Sequence, residues 1–121
     1  GVPYLKQIAN AITEVPVILF PRGANYCLQA FQDQKVAIGI DWSLPPQEAV
    51  RLMPDHVLQG NLEPGLLLGD PAMVRKETRA MLESFQPGKH IANLGHGIYP
   101  EASIEAMEAF LDEVIQWRWE S

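Results

Sequence analysis

His90-Ile91-Ala92-Asn93-Leu94-Gly95-His96-Gly97-Ile98-Tyr99-Pro100 begins as an apolar run, breaks at Gly95 and delivers an imidazole between two glycines. A short apolar run ending in glycine reads as a buried strand meeting a tight turn. Glycine on both sides of His96 permits positive φ and leaves room for a ligand close to the main chain. The pattern is not a dinucleotide fingerprint: the third glycine is missing, and Pro100 stands where a helix should be established. Downstream, Ser103 is placed to cap a helix carrying Ile104, Met107, Leu111, Val114 and Ile115 inward.

The same unit recurs upstream. Val15-Pro16-Val17-Ile18-Leu19-Phe20 and Val36-Ala37-Ile38-Gly39-Ile40 are apolar without alternation, the pattern of strands buried on both faces of a parallel sheet. His56-Val57-Leu58-Gln59 is a third run, ending at Gly60. Between the runs lie a short helix over 26–32 and one opened by Pro45-Pro46 through about residue 52. A third helix is capped by Asp70, with Pro71 in its first turn, and runs to Phe85 with Val74, Met81, Leu82 and Phe85 buried. A leading helix over 2–12 sets Leu5, Ile8, Ala9 and Ile12 on one face. Strand starts near residues 15, 36, 56 and 90 leave room for the helical crossovers that parallel strands require. The fold class is therefore α/β, with about four parallel strand–helix units. A small doubly wound sheet fits this, and so do four consecutive units of a (β/α)8 TIM barrel, whose complete form needs ~250 residues.

At 121 residues the chain is one domain at most, or a piece of one, and 47% hydrophobic content suits a globular core. No apolar run approaches the ~20 residues of a membrane-spanning helix, and no charged-then-apolar leader opens the chain. The single cysteine, Cys27, excludes an intramolecular disulfide and suits a cytoplasmic protein; its helical context reads as a small buried apolar residue. A net charge of −6 without a Lys/Arg run argues against nucleic acid as a partner. No Cys/His pair has metal-ligand spacing, and neither a phosphate-binding glycine loop with lysine nor a nucleophile elbow occurs.

In either architecture function gathers at the C-terminal ends of the strands. That selects the loops 21–24, 41–44, 60–64 and 95–99, and it sorts the histidines. His96 stands at the functional end, whereas His56 and His90 stand at strand beginnings as structural or solvent-facing residues. Asp41 either tethers the following helix or faces a ligand. Arg22 is the cation of these loops, a carboxylate clamp or a plain surface residue. Asn61 suits holding its own turn, Trp42 a core position or pocket wall, and Tyr99 a rim or surface position. The remaining carboxylates fall on helices and read as a solvated face.

Asn93-Leu94-Gly95-His96-Gly97-Ile98 resembles the C-terminal signature of the uroporphyrinogen decarboxylase family. Ile40-Asp41-Trp42, Leu58-Gln59-Gly60-Asn61-Leu62-Glu63-Pro64 and the opening Pro3-Tyr4-Leu5-Lys6-Gln7-Ile8 agree with it, in the same order. The resemblance implies a TIM barrel of which this chain is the C-terminal part, about the last third of a typical member. It implies removal of four acetate carboxylates as carbon dioxide from uroporphyrinogen III, giving coproporphyrinogen III without a cofactor. Protonation of a pyrrole carbon makes the ring the electron sink, so the protein must stabilise a cationic ring and grip peripheral carboxylates. The family's critical aspartate, its gripping arginines and its tyrosine and serine contacts lie upstream and have no counterpart here. Its motif histidine carries over to His96 as a substrate contact; Asp41, Arg22, Asn61 and Tyr99 are weaker substrate-binding candidates. Glu63 stands where the family usually has aspartate, a departure affecting local loop geometry.

The resulting expectation is a segment with a tetrapyrrole partner in the complete enzyme, no catalytic residue of its own and no activity alone. Four strands covered by helices on one face only would leave the other bare, so the chain is expected to form a homodimer or to pair with the upstream part. The competing reading is a self-standing βα half-barrel for binding or assembly, whose mark would be polar residues on the inward strand face. Few are visible. Zinc-dependent methyltransferases, a sister family on this barrel, need thiolate and imidazole ligands that the chain does not offer.

Overall fold

The computed structural model describes residues 1–21 and 25–119. Four short strands, β1 (Ile18–Leu19), β2 (Ala37–Gly39), β3 (Leu58–Gln59) and β4 (His90–Ile91), form a parallel sheet in the order β1-β2-β3-β4. Register runs Leu19 to Ile38 to Leu58 to His90 across one face, and Gly39 to Gln59 to Ile91 across the other. A bridge between Leu62 and Leu94 continues the β3–β4 pairing towards the loops. A doubly wound sheet reverses direction at a switch point. Here the order is sequential throughout, as in consecutive units of a barrel.

Helix α1 (Val2–Ala11) precedes the sheet, and α2 (Pro46–Leu52), α3 (Pro71–Ser84) and α4 (Ile104–Gln116) follow β2, β3 and β4. The expected helix over 26–32 is instead a 3₁₀ segment, Asn25–Phe31, and a second, Pro64–Leu68, precedes α3. Both capping expectations hold: the Asp70 side chain accepts from the Ala72 N–H and that of Ser103 from the Ala106 N–H. Each satisfies an amide that lacks a helical partner. Val74, Met81, Leu82 and Phe85 are buried as read from their spacing, joined by Thr78, whose hydroxyl donates to the Val74 carbonyl.

The core lies between the sheet and its helices. Leu19, Ile38 and Leu58 are 5% exposed or less and pack with Leu28, Phe31, Ala49, Met53, Leu67 and Val74. The other sheet face is bare: Ile18 is 45% exposed, Phe20 42% and Ile91 41%. Burial on both faces, expected from the unbroken apolar runs, is thus met on one face only.

The apolar stripes of two helices are buried only in part. On α1, Ala9 is buried, whereas Ile8, and Ile12 just beyond the helix, are exposed. On α4, Met107 and Val114 pack against the core, but Ile104, Leu111 and Ile115 face outward; the buried positions are Ala106, Ala109, Phe110 and Glu113. The cause is the packing of α3 on α4. Small Ala106 and Ala109 fit that contact, while Arg75 and Arg79 of α3 pair with Glu113. Paired N–H groups of Arg79, and behind them Arg75, hold the Glu113 carboxyl below the usual carboxylate range. Glu113 is thereby an exception to the solvated helical carboxylates.

Candidate functional site

The loops after β2, β3 and β4 are locked to one another by main-chain contacts. Gly95 lies so close to Trp42 that a Cβ there would stand 2.4 Å from both the Trp42 amide nitrogen and its Cβ. A side chain at 95 therefore has no space. The positive φ expected around His96 is not used; among the described residues the glycines with positive φ are Gly60 and Gly88. Gly60, at φ 131°, passes so near β2 that a Cβ would meet the Ile40 carbonyl oxygen at 2.7 Å.

Asn61 is buried, and its Nδ2 donates to the carbonyls of Asp41, at 2.9 Å, and Leu44, at 2.6 Å. The expected tether within its own turn is instead a tether of the neighbouring loop. Asp41 is buried too, and its Oδ1 accepts from the Ser43 N–H at 3.0 Å. That bond organises the entry to α2, the tethering role open to Asp41 from its position. Trp42, 44% exposed, lines a cleft of about 400 Å3 with Asn61, Leu62 and Glu63, beside α2 and α3. Asp41 and Asn61 therefore do not meet His96 in one cavity.

His96 projects elsewhere. It lines a cleft of about 390 Å3 at the C-terminal ends of β1 to β4, with Phe20, Gly39, Gln59, Asn93 and Ile98 among its neighbours. The imidazole is half-buried, and Tyr99 meets it edge-on, centroids 5.5 Å apart and planes at 82°. Its Nδ1 lies 2.8 Å from the Gly97 carbonyl oxygen. A carbonyl only accepts, so Nδ1 carries a proton directed at it, and Nε2 is left for a further partner. Arg22 lies outside the described residues.

The other histidines behave as their positions imply. His56 Nε2 donates to the Gln34 carbonyl at 2.9 Å. His90 stacks on Phe85, centroids 3.9 Å apart, and donates to the Gly60 carbonyl. Burial holds its pKa below that of a free histidine, against the opposing pull of that hydrogen bond.

Sequence reasoning missed two polar residues of the His96 cleft, Gln59 and Asn93. Gln59 is the polar member of an otherwise apolar strand face, a signal available in His56-Val57-Leu58-Gln59. Asn93 lay inside the signature read for its histidine. No group of three or more His, Cys, Asp or Glu among the described residues could hold a metal ion, and no described helix is long and apolar enough to cross a membrane.

Sequential parallel βα units with a cleft at the carboxyl ends of their strands define part of a barrel of the TIM type. A model of the family described as uroporphyrinogen decarboxylase (URO-D) matches residues 1–117. The chain belongs to the uroporphyrinogen decarboxylase family. It is 39% identical over 118 residues to the uroporphyrinogen decarboxylase of Salinibacter ruber, covering 93% of this chain and 33% of that protein. For the Dictyostelium discoideum protein of the same name the values are 38% over 120 residues, 93% and 33%. For that of Homo sapiens they are 32% over 125 residues, 94% and 34%. The chain spans about a third of the length of the curated relatives it matches.

Proposed function

We propose that this chain is the C-terminal segment of a uroporphyrinogen decarboxylase and forms one wall of its tetrapyrrole pocket. The complete enzyme converts uroporphyrinogen III to coproporphyrinogen III by removing four acetate carboxylates as carbon dioxide, without a cofactor. The observation that carries the reading is the His96 cleft at the carboxyl ends of the strands, within a chain matched by the family along residues 1–117. In each round a proton adds to a pyrrole carbon, the bond between the acetate methylene and its carboxylate breaks with its electron pair passing into the electron-poor ring, and a second proton converts the resulting methylene to methyl while the pyrrole carbon gives up the first. The segment contributes binding and orientation; the groups that stabilise the cationic ring lie upstream. Within that pocket His96 contacts substrate through Nε2, the ring nitrogen not engaged by the Gly97 carbonyl. Asp41 and Asn61 support the pocket through the loops they hold, Tyr99 steadies the imidazole, and Arg22 is a carboxylate partner.

The bare sheet face is the interior of the barrel. In the complete protein the upstream part covers it; the isolated 121-residue chain covers it with a second copy. A soluble, cytoplasmic setting is part of the same proposal and suits a reaction on a water-soluble polycarboxylate.

His96→Ala in the complete enzyme tests the site. We expect a loss of at least tenfold in kcat/KM with the melting temperature kept within a few degrees, and His56→Ala near wild type. Equal activity losses in the two variants at equal melting temperatures would contradict the assignment of faces.

A further inference from the structure

Gln59 is the polar residue on the bare face of the sheet strands. Its register neighbours are Gly39 on β2 and Ile91 on β4. Phe20 overlies Gly39, where a Cβ would stand 2.9 Å from the Phe20 Cβ and Cδ1. Gln59 is half-buried, and among the described residues its side-chain amide forms no hydrogen bond. Every other described strand residue on that face is apolar: Ile18, Ala37, Gly39 and Ile91. An amide enclosed without partners is unfavourable. Once the bare face becomes a barrel interior, this amide needs a partner that the strands beside it do not supply.

Asn93 lies two residues beyond Ile91, on the same side of the neighbouring strand extension, and lines the same cleft. Its Oδ1 accepts from the Leu94 N–H at 2.8 Å, leaving the Nδ2 donors for another group. No lysine or arginine lines this cleft among the described residues. Two uncharged amides with free N–H groups, next to an imidazole, match a carboxylate held by neutral donors.

We infer that Gln59 and Asn93 form an amide clamp for one peripheral carboxylate of the porphyrinogen, with Gln59 as its specificity-determining member. This rests on the decarboxylase reading and adds a substrate contact to the same pocket. Neutral donors hold an anion without neutralising it, so the clamp suits a carboxylate retained through the reaction better than one whose departure must be driven. Gln59 is a binding residue and takes no proton.

The test compares wild type, Gln59→Leu and Gln59→Glu in the complete enzyme, measuring KM and kcat for uroporphyrinogen and the melting temperature of each protein. The expected result is a KM raised at least fivefold by Leu, which removes the donors, and at least fiftyfold by Glu, which sets a carboxylate against a carboxylate. In both, kcat changes less than threefold and the melting temperature stays within about 3 °C. KM within twofold of wild type in both variants overturns the clamp while leaving the decarboxylase reading intact. A melting temperature lowered by more than about 5 °C in both overturns it as well, assigning Gln59 to the fold. An inactive wild-type enzyme defeats the decarboxylase reading itself and the clamp with it.

Discussion

Asn61 offers a quantitative test of how the site is held. Its Nδ2 satisfies two main-chain carbonyls of the preceding βα loop, Asp41 and Leu44, and the residue is 6% exposed. Replacement by alanine removes both donors at once. Leaving a buried acceptor unpaired is unfavourable by about 1–3 kcal/mol, while a group that water reaches loses only about 1 kcal/mol. The bond to the Leu44 carbonyl is part-buried and that to the Asp41 carbonyl buried, so the first carbonyl gains water and the second stays dry. Asn61→Ala should therefore destabilise by about 2–4 kcal/mol. Asn61→Asp should do more harm at neutral pH, because an ionised carboxylate offers no donor and faces two carbonyl oxygens. Protonation restores one donor, so the Asp variant should regain part of its stability as pH falls towards 5. The assay is equilibrium urea unfolding of the 121-residue chain, with protein concentration fixed because association contributes to apparent stability. A loss below 0.5 kcal/mol for Asn61→Ala, or an Asp variant as stable as wild type at pH 7, would refute the tether.

Two further outcomes follow from burial. His90 has a folded pKa below its unfolded value near 6.5, so the unfolded chain binds the extra proton first. Its contribution is complete above pH ~6.5 and is lost as pH falls from there through the depressed folded value; urea unfolding between pH 7 and 5 should show a shallower decline for His90→Phe than for wild type, and equal slopes would contradict the assignment. The chain exposes 7386 Å2, about 900 Å2 more than the roughly 6,500 Å2 of a compact 13.5 kDa monomer, and this is close to one partner's share of a standard interface of ~800 Å2. Light scattering at micromolar concentration should report a dimer or larger species; a sharp monomer peak with cooperative unfolding would contradict it.

Much of the fold was legible because its signals are local. Unbroken apolar runs gave the strands, and Asp70 and Ser103 gave two helix starts through bonds spanning two or three residues. The α/β class and the end of the sheet carrying His96 followed from order alone. Periodicity marks an apolar stripe but not the neighbour that covers it. Ile104, Leu111 and Ile115 of α4 were therefore read as inward although they are exposed. Gly95 answers to the Trp42 main chain and Asn61 to the carbonyls of residues 17 and 20 positions earlier. Such long-range constraints leave no local trace. Gln59 was visible as a polar residue closing an apolar run, but only the register with Gly39 and Ile91 gives its face a meaning.

The central claim is that this chain is one wall of a decarboxylase pocket whose charge-stabilising groups lie elsewhere in the complete protein. The most direct measurement is porphyrin chromatography after incubating uroporphyrinogen anaerobically with equal molar amounts of the 121-residue chain and of the complete enzyme carrying it. The account predicts coproporphyrinogen from the complete enzyme and none from the chain alone. Coproporphyrinogen from the chain alone, or none from the complete enzyme, would contradict it.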